Sequence, residues 1–334
     1  MKIALLQRRP FPGQFSVEGY FGRLADDLRL MGHEVQPCIL PHLSLGVLPR
    51  VRNMLHARRI QGDIVHITGD VHYTALGCEP SRTVLTILDC ATLERLRGMR
   101  LRIFRYFWFT MPMRRCAAIS VISHETKRVL LEKFPAFDEN KVRVIYVSIS
   151  DRFQFSPREF QSDCPRILQV GTKGNKNLDR LFRALQGIRC KLIIVGELTS
   201  DECQFLRRLG IDYENPKGLT DSQLVEEYRK CDMVSFASTM EGFGMPIVEG
   251  QVTGRPVLTA NVSSMPEVAG RGACLVDPYD VGSIRRGFEA IVGSSEYREE
   301  LIRAGRENSK RFHSRAIATE FAKLYSEILE ASSA

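Results

Sequence analysis

Apolar positions in the first 150 residues fall into short runs separated by stretches with helical spacing. Lys2–Leu6 is a continuous apolar run. The segment from Tyr20 to Met31 repeats apolar residues about one helical turn apart and closes on Gly32, and Val35–Ile39 resumes an extended pattern. Further β-branched runs at Asp63–Ile67, Thr83–Ile87, Ala118–Ile122 and Val142–Val147 are separated by helix-compatible segments. Such runs, alternating with helices, predict a parallel sheet covered on both faces.

Around residues 150–165 the pattern lapses into a polar, proline-flanked stretch that reads as a linker. The alternation then restarts. Arg166–Val170 is a predicted strand, Leu178–Leu185 a helix, Lys191–Val195 a strand and Asp201–Leu209 a helix. Thr220 with Gln223 forms a capping box that opens the helix ending at Lys230. Met233–Phe236 and Val257–Thr259 are strands with a helix from near Pro246 between them, and the chain from Asp280 onward reads as helical. The expectation is an α/β protein of two doubly wound, Rossmann-like domains: 1–155, then 156–312, with 313–334 a helix that crosses back onto the first. Ligands of such sheets bind at the carboxyl ends of strands, and here also in a central cleft between the domains.

A length of 334 residues, 44% hydrophobic and 26% charged, fits two ordinary globular domains. No window holds the roughly 18 apolar residues that span a bilayer. The start, MKIALLQRRPFPG, puts arginines after its apolar run, the reverse of a signal peptide, so the expected location is cytoplasmic. The nine cysteines are scattered without a C-x-x-C pair, which argues against zinc and disulfide frameworks. The net charge of +8 is concentrated: residues 1–160 carry 24 Lys+Arg against 15 Asp+Glu, so the first half is the one expected to meet something anionic.

The segment EGFGMPIVEG at 241–250 holds the clearest chemistry. It follows the strand Met233–Phe236, so Glu241 lies in a loop at a strand's carboxyl end. Gly242 and Gly244 allow close backbone approach, and Pro246 suits a helix's first turn, where its missing N–H costs nothing. The loop thus offers unpaired N–H groups and a positive helix end, a site for a diphosphate. Glu249 lies eight residues on, a little over two helical turns, and a carboxylate with two acceptor oxygens grips a pair of sugar hydroxyls well.

This segment resembles the donor signature of the retaining glycosyltransferases of family 4, which have the GT-B fold: Glu241, Gly242, Phe243, Gly244, Pro246 and Glu249, then Gly254, Pro256 and Val257. The resemblance implies that Glu241 contacts the donor sugar, Glu249 the ribose hydroxyls, and the backbone from Phe243 to Met245 the diphosphate or sugar. VGTKGNKNLDRLFRAL at 170–185 is similar to the family's diphosphate loop, which assigns Gly171, Thr172 and Lys173 to donor binding and makes Lys176 the phosphate cation. The stretch 214–238 resembles the segment beside the nucleobase and contributes Gly218 and Leu219. Weaker likeness in the first half points to Gly13, Ser16, His66 and Asp89 on the acceptor side. Three positions depart from the family pattern. Phe15-Ser16 stand for a usual glycine pair, Leu88 precedes Asp89 where a histidine is usual, and Thr172 stands for an arginine.

The implied reaction is transfer with retention from a nucleotide-diphosphate sugar to a glycan, lipid-linked or small-molecule acceptor. No metal or other cofactor is expected, the leaving group being held by Lys176 and the helix end. Residues 93–116 interleave seven arginines with Phe104, Tyr106, Phe107, Trp108 and Phe109. That composition suits an anionic lipid surface, hence a peripheral position on the inner face of a membrane, or a helix with packed aromatics and solvated arginines. No RNA-binding motif accompanies it, and nucleic acid is not an expected partner. The alternatives are a nucleotide-sugar epimerase or phosphorylase on the same scaffold, and a non-catalytic membrane-associated binding protein.

Overall fold

A computed structural model describes residues 1–10 and 16–333; Gly13 and Phe15 lie outside the described residues, and Ser16 is described through its backbone alone. The chain divides into two compact units, Met1–Ser150 with His313–Ala334, and Asp151–Phe312.

The first unit is built on six parallel strands, β1 (Lys2–Gln7), β2 (Glu34–Ile39), β3 (Ile64–Thr68), β4 (Thr83–Ile87), β5 (Ala118–Val121) and β6 (Val142–Val144). Their order is β2-β1-β3-β4-β5-β6. Both faces are covered, which explains why the central strands β3 and β4 are buried along their whole length. Helix Ser314–Ser333 lays Ile317, Phe321, Leu324, Tyr325 and Ile328 on one face, against Tyr20, Phe21 and Leu24 of helix Ser16–Leu30.

His66 sits beneath that helix. It is fully buried, with Nδ1 2.7 Å from the Tyr325 hydroxyl and Nε2 2.6 Å from Thr86 Oγ1, and Thr86 Oγ1 in turn lies 2.5 Å from Ser120 Oγ. These groups link three strands and the last helix through the core. Both ring nitrogens are occupied, so the position expected on the acceptor side is a packing residue, cut off from any ligand.

The second unit repeats the theme with β7 (Arg166–Val170), β8 (Lys191–Val195), β9 (Asp212–Glu214), β10 (Met233–Phe236), β11 (Val257–Ala260) and β12 (Cys274–Val276), ordered β12-β11-β10-β7-β8-β9, all parallel. The edge strands β9 and β12 span three residues each and escape a pattern reading because they are too short, Asp-Tyr-Glu and Cys-Leu-Val, to show a period. The order reverses between β7 and β10, so the loops that leave their carboxyl ends diverge and open a crevice.

The stretch 151–165 has no helix or strand but is tied into the second unit. Phe153 packs edge-on against Tyr228 at 5.2 Å, and the buried Asp232 carboxylate accepts from Arg158 Nε and from the Arg166 backbone. The helical run expected from Asp280 is three helices, Val281–Gly293, Ser295–Ser309 and Ser314–Ser333. Ser294 breaks it, its hydroxyl capping the second helix through Tyr297 N.

Burial holds the folded-state pKa of His66 down at about 3, below its ordinary 6.5. The unfolded chain therefore binds the proton first, and stability falls as pH drops from 6.5 toward 3, by up to about 1.4 kcal/mol per pH unit. Urea unfolding of His66→Gln is expected to be weaker than wild type at pH 7 and flatter between pH 6.5 and 4.

Candidate active site

The crevice at the β7/β10 switch point gathers three loops. After β7, Gly171 adopts φ +89°, and a Cβ there would come within 2.9 Å of Lys176 Cε, so only glycine leaves room for the lysine stem. A single 3₁₀ turn, Gly174–Lys176, follows, and Asn177 takes a left-handed conformation before helix Leu178–Leu185. Asn177 holds that geometry by donating from Nδ2 to the carbonyls of Ala237 (3.0 Å) and Pro278 (2.7 Å), which ties the loop to those after β10 and β12.

Lys176 is thereby aimed at Glu241. Its Nζ lies 2.6 Å from Glu241 Oε1, with both side chains about 15% exposed, and 4.3 Å from the centre of the Phe236 ring. Asn175 Nδ2 donates to the same Oε1 (2.9 Å) and to the Met240 carbonyl (2.9 Å). The Glu241 carbonyl accepts from the hydroxyls of Ser263 and Ser264, and Ser264 also reaches the Phe243 carbonyl at 2.7 Å. Gly244, at φ +116°, turns the chain into helix Met245–Thr253, with Pro246 in its first turn. Phe243 is buried against Phe312, so its side chain anchors the loop.

Glu249 lies about one turn into that helix and is 9% exposed. Its Oε2 accepts a 2.5 Å hydrogen bond from the Tyr228 hydroxyl. Burial first and the Glu249 charge second push the Tyr228 pKa far up, so the phenol keeps its proton and donates. Sequence spacing missed Tyr228, which sits on the neighbouring helix Asp221–Lys230. Missed too were Asn175 and Ser263–Ser264, since nothing local distinguishes them from ordinary loop residues.

The remaining positions fall around this centre. Thr172 is half-buried and Lys173 exposed at the mouth of the β7 loop. Asn215 donates to the carbonyls of Ile194 and Gly196, and Gly196 N to the Pro216 carbonyl, which brings the segment before exposed Gly218 and half-buried Leu219 alongside the end of β8. The capping box of Thr220 and Gln223 starts the next helix at Asp221. Asp89 belongs to the first unit, where it is exposed after β4 and accepts from Ala91 N at 2.9 Å. Among the described residues no three His, Cys, Asp or Glu side chains gather as a metal-binding group.

A helix start, a paired lysine and glutamate and a buried second glutamate thus gather at the switch point of a doubly wound sheet, the place where such sheets bind ligands. Residues 150–308, the greater part of this second unit, match the family described as glycosyl transferases group 1. The serotype-specific mannosyltransferase WbdA of Escherichia coli is 28% identical over 182 residues, covering 50% of this chain and 21% of that protein. The chain thus spans about a fifth of the length of the first curated relatives it matches. The capsular polysaccharide biosynthesis glycosyltransferase CapM of Staphylococcus aureus is 26% identical over 276 residues, 71% of this chain and 70% of that one. Among solved structures, Anabaena HepE in complex with UDP-glucose shares the fold at a TM-score of 0.79, 16% identity, and 98% and 100% coverage of the two chains. The sucrose-phosphate synthase of Thermosynechococcus elongatus does so at 0.77, 16% identity and 99% coverage of each. The fold is GT-B, two Rossmann-like domains each with its own parallel sheet.

Tyr228→Phe takes a charge-assisted donor from a buried carboxylate and is expected to destabilise the protein by about 2 kcal/mol. The urea midpoint reads this directly, and an unchanged midpoint would remove the pairing from the account of Glu249.

Proposed function

We propose that this protein moves a sugar from a nucleotide-diphosphate sugar to a glycan or lipid-linked acceptor, with retention of anomeric configuration and without a divalent cation. The observation that carries this reading is the Lys176–Glu241 pair at the switch point, beside the start of helix Met245–Thr253. A diphosphate seated there meets the lysine charge and the first-turn N–H groups, which lack acceptors within their own helix. Glu241 lies on the sugar side and Glu249 takes the ribose.

In the reaction the bond between the anomeric carbon and the diphosphate oxygen breaks, with its electrons leaving on the diphosphate. The acceptor oxygen bonds to the same face of the carbon, and its proton passes to a diphosphate oxygen. Lys176 and the helix end stabilise the charge that develops on the leaving group. The names of the similar proteins, mannosyltransferases and a capsular polysaccharide glycosyltransferase, support a polysaccharide acceptor.

Transfer assayed with a panel of UDP-, GDP- and ADP-sugars tests the donor, and the accepted nucleotide also raises the melting temperature. Glu241→Ala and Lys176→Ala are each expected to lower kcat by about 10²–10³, and EDTA to leave the rate unchanged. Release of an epimerised donor or a sugar phosphate without acceptor would replace this reading with an epimerase or phosphorylase. Wild-type rates in Glu241→Ala would leave a non-catalytic binding protein.

A peripheral membrane position belongs to the same proposal, supported by a surface of the first unit. Helix Gly98–Phe104 and the π-turn Arg105–Thr110 expose Met99, Ile103, Tyr106 and Phe107 among Arg95, Arg97, Arg100 and Arg102. Their neighbour, helix Val47–Ala57, is joined to them by Arg50 over the Trp108 ring at 4.5 Å. It exposes Val47, Leu48, Val51 and Leu55 with Arg52. No helix among the described residues is long and apolar enough to cross a membrane. Apolar side chains ringed by arginines fit an anionic interface, at about 1 kcal/mol per basic residue. Flotation with phosphatidylglycerol vesicles is expected to carry the protein, with much less on neutral vesicles and a loss in the Arg100→Glu, Arg102→Glu double variant. Equal binding to neutral vesicles would overturn the electrostatic part.

A further inference from the structure

At the amino ends of β10 and β11, the edge of the second sheet opposite to Glu241, lies a cavity of about 200 Å³. Arg255, Asp232, Pro256 and Phe160 line it together with Arg298 and Glu299 from the first turns of helix Ser295–Ser309. Arg255 is 2% exposed, yet every acceptor around its guanidinium is neutral. Nε donates to the Tyr228 carbonyl (2.9 Å), Nη2 to that of Arg229 (2.8 Å) and Nη1 to that of Gly254 (3.4 Å), and the adjacent Cys231 thiol is pushed up to about 12 by burial. Among the described residues no carboxylate lies within ion-pair distance of it. Asp232 is already taken: it pairs with Arg158 Nε at 2.9 Å and accepts the backbone N–H groups of Gln161 and Arg166. Arg298 likewise spends Nη1 on the carbonyls of Ile291 and Val292. A buried cation with neutral partners is costly, and an anion in the cavity offsets that cost.

We propose that this cavity is a second binding site, for a small phosphate-type anion held between Arg255 and Arg298 and, at the mouth, Arg158. The site is distinct from the donor crevice, and its occupancy is read there through one connection. Arg255 caps the carbonyl end of helix Asp221–Lys230 at Tyr228, and the hydroxyl of that same tyrosine holds Glu249. The binding claim stands without the donor reading; the coupling rests on it.

Calorimetric titration with inorganic phosphate, against sodium chloride at matched ionic strength, is expected to saturate in wild type. Arg298→Gln should weaken binding about tenfold, the loss of one charge-assisted hydrogen bond. Glu299→Gln, an exposed change at the mouth, should tighten it about threefold by removing a like charge. Lys176→Ala should leave it unchanged, because that lysine serves the other site. Glycerol 3-phosphate as a second titrant separates a site for free phosphate from one that also takes phosphate monoesters. No saturation in wild type, unaltered binding in both Arg298→Gln and Glu299→Gln, or loss in Lys176→Ala overturns the site. With phosphate bound, nucleoside diphosphate affinity should shift at least threefold in wild type and not in Tyr228→Phe. An unchanged wild-type affinity removes the coupling while leaving the site and the donor reading in place.

Discussion

The second unit of this protein depends on keeping a lysine and a glutamate 2.6 Å apart in a crevice that is mostly shielded from solvent. Shielding strengthens their attraction and also makes either one costly alone, so the surrounding loops are built to hold both. Gly171 clears the stem of Lys176, Asn177 pins the lysine loop to the carbonyls after β10 and β12, and Asn175 and the two serines fix Glu241 from the other side. In the proposed reaction, a diphosphate arriving at such a centre finds a cation already placed. Little reorganisation is left for the moment of reaction, which is where preorganised electrostatics are most effective.

Glu249 depends on a second set of contacts that runs through the body of the domain. Its donor, Tyr228, ends a helix whose last carbonyls are capped by Arg255, and Phe153 packs on the tyrosine ring from the stretch that enters the unit. The glutamate is therefore set through residues on three separate segments, the helix Asp221–Lys230, the turn at Arg255 and the stretch at Phe153. This also explains why Gly254-Arg255-Pro256, which looks like a plain helix-to-strand turn, matters to the site: the turn delivers a guanidinium to the end of the neighbouring helix.

The first unit solves a different problem. Its central strands are buried on both faces, and the polar groups they carry must find partners inside. His66, Thr86, Ser120 and Tyr325 do so among themselves, which joins the final helix to the sheet by hydrogen bonds as well as by apolar packing. The histidine is kept neutral by the same burial that removes it from acceptor chemistry. The basic charge of this half lies instead on its surface, beside exposed apolar side chains of two adjacent helices.

Much of this was legible in the chain itself. The two wound sheets, the helix beginning near Pro246 and the capping box at Thr220 all follow from local rules of periodicity and capping, whereas the pairing of Lys176 with Glu241 came only with the structure. The short edge strands β9 and β12 and the break at Ser294 were not legible, because three-residue strands and single caps leave too little pattern. Helix Val47–Ala57 as an exposed apolar surface was equally hidden, since apolar residues at helical spacing read as core until the neighbouring layer is known. The sequence by itself determined which segments fold and where the glycine-rich loop meets its helix, because those properties belong to stretches of a few residues. Only the tertiary structure decided that His66 is sealed in the core, that Tyr228 holds Glu249 and that Arg255 is buried among neutral partners. Each of those outcomes depends on what residues distant in the chain place beside a side chain, and burial and pairing are properties of that surrounding.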